Sequence, residues 1–152
     1  MGLMSFLKGV GEKVFKKDEV VAATPEAEPL RASALLAHIK GLGLPYNTIA
    51  VKTVGDTVIL EGEVAKQEDS EKIALSVGNV EGVAVVDNRM TVAEPAPEAK
   101  FHTVVKGDSL SKIAKEYYGD MMKYPVIFEA NKPMLAHPDK IYPGQVLRIP
   151  AL

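Results

Sequence analysis

Thr57-Val58-Ile59-Leu60-Glu61-Gly62-Glu63-Val64 decides the fold of the middle of this chain. Val58, Leu60 and Val64 alternate toward one side, while Thr57, Glu61 and Glu63 face the other. That is the period of two expected of a strand with one buried and one wet face. Just before it, Gly55-Asp56 supplies a hairpin turn to a partner strand, Ile49-Ala50-Val51-Lys52-Thr53-Val54. Further out, Leu35, Ile39 and Leu42 share a helical face that stops at Gly41 and Gly43. On the other side, Lys66 to Gly78 opens a helix that repeats Ile73, Ala74, Val77 and Val80 on one stripe. Glu68, Asp69 and Glu71 lie at its start, where acidic side chains complement the helix dipole. Val83-Ala84-Val85-Val86, running on into Asn88-Arg89-Met90-Thr91-Val92, reads as a last strand. Residues 30–92 therefore read as helix, strand, strand, helix, strand.

Stretches rich in Pro, Ala and Glu bound this unit at 21–29 and 93–100; such composition makes extended linkers and buries no core. Beyond the second linker, residues 101–152 read strand, helix, helix, strand. Phe101-His102-Thr103-Val104-Val105 is the first strand, and Asp108 or Ser109 can cap a helix that buries Leu110, Ile113, Ala114 and Tyr117. Pro125 suits the start of the second helix, Asn131-Lys132-Pro133 its end, and Val146-Leu147-Arg148-Ile149-Pro150 the closing strand. Ahead of the first linker, residues 1–20 place Leu3, Phe6, Leu7, Val10 and Val14 at helical spacing. The spacing predicts an amphipathic N-terminal helix over about 3–17, weakened by Gly9 and Gly11 and leaning on the 30–92 unit. The fold class is α+β, in two small domains.

Composition narrows the function. With 152 residues and a formal charge of −2, the chain lacks the basic footprint of a nucleic-acid binder. Its first residues lack the basic start, apolar core and cleavage site of a secretory signal, and no stretch approaches a membrane span. With no cysteine either, a cytoplasmic protein is expected. His38, His102 and His137 stand in separate places, and no nucleophile or phosphate-loop motif occurs, so no enzymatic activity is expected. Glu61 and Glu63 share a strand face that a divalent cation could use, but solvated charges on a wet face explain them as well.

Three blocks at the C-terminal end resemble a LysM domain: Val105-Lys106-Gly107-Asp108-Ser109-Leu110 with Ile113-Ala114, then Ile127-Phe128-Glu129-Ala130-Asn131, then Ile141-Tyr142-Pro143-Gly144-Gln145 with the closing strand. Val58 to Val64 and Val80-Glu81-Gly82-Val83-Ala84-Val85-Val86-Asp87-Asn88 resemble the marks of a BON domain. Over nearly its whole length the chain is similar to the bacterial cytoplasmic potassium-binding proteins of BON–LysM architecture. The resemblance implies a BON domain (αββαβ) and a LysM domain (βααβ). It also implies reversible, selective binding of potassium ion (K+) by a monomer, as a sensor or buffer in osmotic stress, with a conformational change. A further protein partner stays open.

A potassium site calls for neutral carbonyl oxygens that replace the hydration shell, whereas carboxylate clusters favour calcium or magnesium. Helix C-termini leave such carbonyls unpaired at the negative end of the dipole. Two places qualify: the glycine-loosened N-terminal segment near Leu7 and Val10, and the turn Gly78-Asn79-Val80-Glu81-Gly82-Val83. The expected metal ligands are the backbone carbonyls of Leu7, Val10, Gly78, Val80, Gly82 and Val83. The same turn is also explained as a helix cap leading into a strand. The alternative function is binding of peptidoglycan or another N-acetylated glycan by Gly107, Asp108, Ser109, Leu110, Ile141 and Tyr142, which the resemblance implies. Peptidoglycan is not the expected partner of a chain without an export signal; the LysM domain would instead dock on the BON domain when the ion is bound.

Overall fold

Strand alternation and turn chemistry build the first domain. The computed structural model describes residues 2–6, 11 and 28–151. Strands β2 (Thr48–Val54) and β3 (Thr57–Lys66) form an antiparallel hairpin in the register Val54↔Thr57 to Thr48↔Glu63. Val58, Leu60 and Val64 of β3 are fully buried. Helix α1 (Glu28–Leu42) lays Leu35 and Ile39 against them. Helix α2 (Gln67–Gly78) follows β3 directly and adds Ile73, Ala74 and Val77 to the same core. It then hands the chain to β4 (Val85–Asn88), which runs parallel to β3, so that β3, α2 and β4 form a crossover unit. Strand β5 (Thr91–Glu94) continues beside β3 at the same offset, and the last strand foreseen from sequence is thus one ribbon interrupted at Arg89–Met90. Asn88 shapes the interruption: its Oδ1 accepts the Met90 N–H at 3.1 Å and its Nδ2 donates to Ser70 Oγ at 3.0 Å.

The N-terminus departs from expectation. Gly2–Ser5 is a strand, β1, antiparallel to β4 from Gly2↔Asn88 to Ser5↔Val85. Four residues are too few to express a helical period, and the otherwise unpaired edge of β4 offers a full set of backbone partners. The rest of the predicted amphipathic helix falls on residues 7–10 and 12–20, outside the described residues. The sheet order is β1-β4-β3-β2, with β1 on one rim.

The second domain is a two-stranded sheet with two helices. Strand β6 (Lys100–Thr103) pairs antiparallel with β7 (Val146–Ile149), from Lys100↔Ile149 to Thr103↔Val146. Helix α3 (Leu110–Tyr118) is capped by Ser109, whose side chain accepts the Lys112 N–H at 3.2 Å. A 3-10 turn, Met121–Lys123, which sequence periodicity did not reveal, leads to helix α4 (Tyr124–Ala130), with Pro125 in its first turn. Val104, Leu110, Ile113, Ala114, Ile127, Leu135, Leu147 and Ile149 form the core. No helix among the described residues is long and apolar enough to cross a membrane.

The domains touch through buried groups. Val146 of β7 belongs to the first domain's core, and Phe101 and Met134 pack against that core. Glu71 of α2 reaches across to pair with Arg148 Nε at 2.8 Å, and its other oxygen accepts the Ala99 N–H at 3.1 Å.

Candidate functional site

Helix α2 ends in a buried turn. The Asn79 N–H donates to Leu75 O at 3.0 Å and the Val80 N–H to Val77 O at 3.2 Å, which closes the helix. The Val83 N–H then returns to Val80 O at 3.1 Å. Among the described residues, no backbone N–H outside the regular elements donates to the carbonyls of Gly78, Gly82 or Val83. Asn79, Val80, Gly82 and Val83 are all buried. The last turn of α2 holds no basic side chain, so nothing on the helix itself offsets the negative end of its dipole.

The N-terminal segment meets this turn at two points. The Phe6 N–H donates to Ala84 O at 2.7 Å, and the Phe6 ring lies so close on Gly78 that a β-carbon there would overlap it. Gly11, at φ +123°, approaches the Asn79 carbonyl so closely that any side chain at this position would collide with it. Both close approaches require glycine, one for space and one for space and backbone angle together. Phe6 and Gly11 are the described residues that flank 7–10 on either side, and both lie on the turn.

Of the six expected ion ligands, Gly78, Val80, Gly82 and Val83 share this turn, while Leu7 and Val10 lie outside the described residues. The backbone oxygens of the turn are neutral carbonyls, joined by the half-buried Glu81 carboxylate, and no group of three or more His, Cys, Asp or Glu able to hold a metal occurs among the described residues. Neutral oxygens at the negative end of a dipole suit a large monovalent cation better than a divalent one. Glu61 and Glu63 have other partners, Lys52 Nζ at 3.5 Å and Asn47 Nδ2 at 3.1 Å.

The expected glycan residues lie in two loops. Gly107, Asp108, Ser109 and Leu110 occupy the β6–α3 connection, and Ile141 and Tyr142 the segment before β7. Both loops leave the same end of the β6–β7 ribbon, where the Val104 N–H donates to Gln145 O and the Gly144 N–H to Val104 O, each at 2.8 Å. Most of these residues also hold the domain together. Leu110 is core, Ser109 is the helix cap, and Ile141 packs on the core. Asp108 does not cap; its Oδ2 meets His102 Nε2 at 2.9 Å and accepts the Val105 N–H at 3.0 Å. The hydrogen bond with His102 is the main reason its carboxyl titrates below the usual carboxylate range, against the opposing effect of burial. On the other side of the ring, His102 Nδ1 lies 3.2 Å from the Tyr117 hydroxyl.

Sequence reasoning passed over Asn79. It stands between two expected ligands, and its side chain is 4 % exposed and committed to the second domain. An asparagine following a helix is an ordinary cap, so only the fold reveals what its amide reaches.

Comparison with known proteins agrees with this architecture. A BON domain model matches residues 29–94, and a LysM domain model matches residues 102–150. The chain is 42% identical over 151 residues to the Potassium binding protein Kbp of Escherichia coli O6:H1, covering 99% of each chain. It is also 42% identical over 133 residues to an uncharacterized protein of Deinococcus radiodurans, covering 78% of this chain and 51% of that one.

Proposed function

This chain belongs to the family of paired BON–LysM proteins that includes the Escherichia coli potassium binding protein, and from that premise we propose that it binds potassium ion selectively and reversibly. The ligands in this reading are the backbone carbonyls of Leu7, Val10, Gly78, Val80, Gly82 and Val83. The observation that carries it is the convergence of Phe6 and Gly11 on the turn at the end of α2, in a chain related along its full length to a potassium binder.

The ion links the two segments because each contributes only part of its coordination shell. A cation that prefers the assembled arrangement stabilises it by mass action, in proportion to the logarithm of its concentration over its dissociation constant. The response therefore tracks free potassium, which suits a cytoplasmic sensor or buffer in osmotic stress. Docking of the LysM domain on α2 makes the whole chain more compact in the ion-bound state. Titrating metal-free protein with potassium chloride and with sodium chloride at matched ionic strength, followed by amide NMR, tests the reading. Potassium alone is expected to shift the signals of residues 78–84; identical spectra in the two salts would sink it.

A second reading, N-acetylated glycan binding by Gly107, Asp108, Ser109, Leu110, Ile141 and Tyr142, is favoured by the juxtaposition of their two loops at one end of the β6–β7 ribbon. Chitin oligomers in the same titration test it, through shifts confined to those loops.

A further inference from the structure

Strand β7 has one edge on β6, and its other edge is held by two asparagine side chains. Asn131 follows α4 within the second domain. Its Nδ2 donates to Ile127 O at 2.7 Å and to Arg148 O at 2.9 Å, and its Oδ1 accepts the Arg148 N–H at 2.7 Å. Asn79 follows α2 in the first domain and repeats this pattern two residues earlier on the strand. Its Nδ2 donates to Leu75 O at 3.1 Å and to Val146 O at 2.8 Å, and its Oδ1 accepts the Val146 N–H at 2.9 Å. Each primary amide thus stands in for a peptide unit of a missing neighbour strand, and so satisfies donors and acceptors that burial would otherwise leave unpaired. The second domain holds Arg148 itself; the first domain holds Val146.

The position of Asn79 gives this pairing a consequence. Its main chain runs between Gly78 and Val80, and its carbonyl receives the close approach of Gly11. A shift of this turn therefore moves the amide that grips Val146. The Glu71–Arg148 pair, two turns earlier on the same helix, holds the next part of β7.

We propose that Asn79 is the positioning residue that locks the LysM strand β7 to the turn at the end of α2, so that the arrangement of the turn and the docking of the LysM domain rise and fall together. The inference rests on the potassium reading for what arranges the turn, but the lock itself is a matter of this chain's own hydrogen bonds.

Amide hydrogen exchange and potassium titration of the full chain test it, with Asn79→Asp and Asn79→Ala compared with wild type. Asn79→Asp is nearly isosteric and keeps an acceptor for the Val146 N–H while losing the donations from Nδ2 to Leu75 O, Val146 O and Met134 Sδ, so it separates the lock from a failure to fold. In sodium chloride, exchange at Val146 is expected to accelerate by about tenfold or more in Asn79→Ala, and less in Asn79→Asp, for the loss of a coupling of ordinary size. In Asn79→Ala, which adds no charge to the turn, the potassium dissociation constant is expected to rise between about 5- and 150-fold, the usual range for coupled sites. Asp120→Ala, which removes the side-chain acceptor of the Met122 N–H within the LysM domain, serves as the control for general weakening and is expected to keep wild-type potassium affinity. Wild-type Val146 exchange in both Asn79 variants together with unchanged affinity in Asn79→Ala would overturn the lock. An equal loss of affinity in Asp120→Ala would overturn it too, by reducing Asn79 to a stabilising contact. A wild-type protein indifferent to potassium defeats the ion reading instead, and Val146 exchange in Asn79→Asp then judges the lock alone.

Discussion

Helices α2 and α3 both give way to a turn, but they dispose of their last carbonyls differently. Helix α3 stops at Gly119, whose left-handed conformation turns its N–H onto Lys115 O at 2.9 Å. Lys115 places a positive charge in that last turn, and the space beside Gly119 is open. Helix α2 ends on Gly78 with no basic residue in its last turn, beneath the Phe6 ring and within a buried turn. The first end is complete as it stands. The second is negative and covered, its backbone carbonyls joined by the Glu81 carboxylate, which is a stable arrangement when a cation comes from outside.

The largest effect is expected where that covered end is filled. Gly78→Ala drives a β-carbon into the Phe6 ring, and overpacking of this kind costs roughly 1–3 kcal/mol. Chemical denaturation should show that loss, and the potassium-dependent NMR shifts should vanish with it. Glu81→Lys, next in size, replaces the one carboxylate of the α2 turn with the positive charge that α3 already has. A fixed positive charge opposes a bound cation, so the potassium dissociation constant should rise about tenfold, or ~1.4 kcal/mol, by calorimetry. Gly119→Ala breaks the comparison from the other side. It forces a left-handed residue to carry a β-carbon and should cost about 1 kcal/mol of stability while potassium affinity stays the same.

Acid separates the two domains more gently. The Asp108 carboxyl is held below its unfolded value by His102, so its contribution to stability is present above that value and fades as pH falls through the folded one. Asp69 on α2 is shifted the other way, chiefly by burial. Its contribution is present below the unfolded value and is lost as pH rises through the higher folded one. Below the ordinary carboxylate value of 3.8 the LysM domain should therefore loosen first. Tyrosine fluorescence followed against pH checks this, and Asp108→Asn should remove the LysM part of the change.

Much of this contrast was legible in the sequence because it rests on local signals. The hairpin of β2 and β3 announced itself through alternation and Gly55-Asp56, and α2 through its apolar stripe and acidic first turn. Gly78 and Gly82 marked the turn as a place where the backbone does something unusual. Strand β1 escaped notice because four residues show no period and their partner, β4, lies 80 to 86 positions away. The break at Arg89–Met90 depends on an Asn88 side chain that accepts from the Met90 N–H and donates to Ser70. The Asn79 amide spans 67 residues to reach Val146, a distance over which a single sequence carries no pairing signal. Backbone ligation has the same difficulty, since carbonyls are common to every residue and only the fold selects among them.

Calorimetric titration of potassium chloride into the full chain and into a chain lacking residues 1–12 tests the two-segment site most directly. The full chain should bind, and the shortened chain, which has lost Phe6, Leu7, Val10 and Gly11, should bind far more weakly or not at all. Equal dissociation constants for the two would contradict the account and leave the turn at the end of α2 a cap and nothing more.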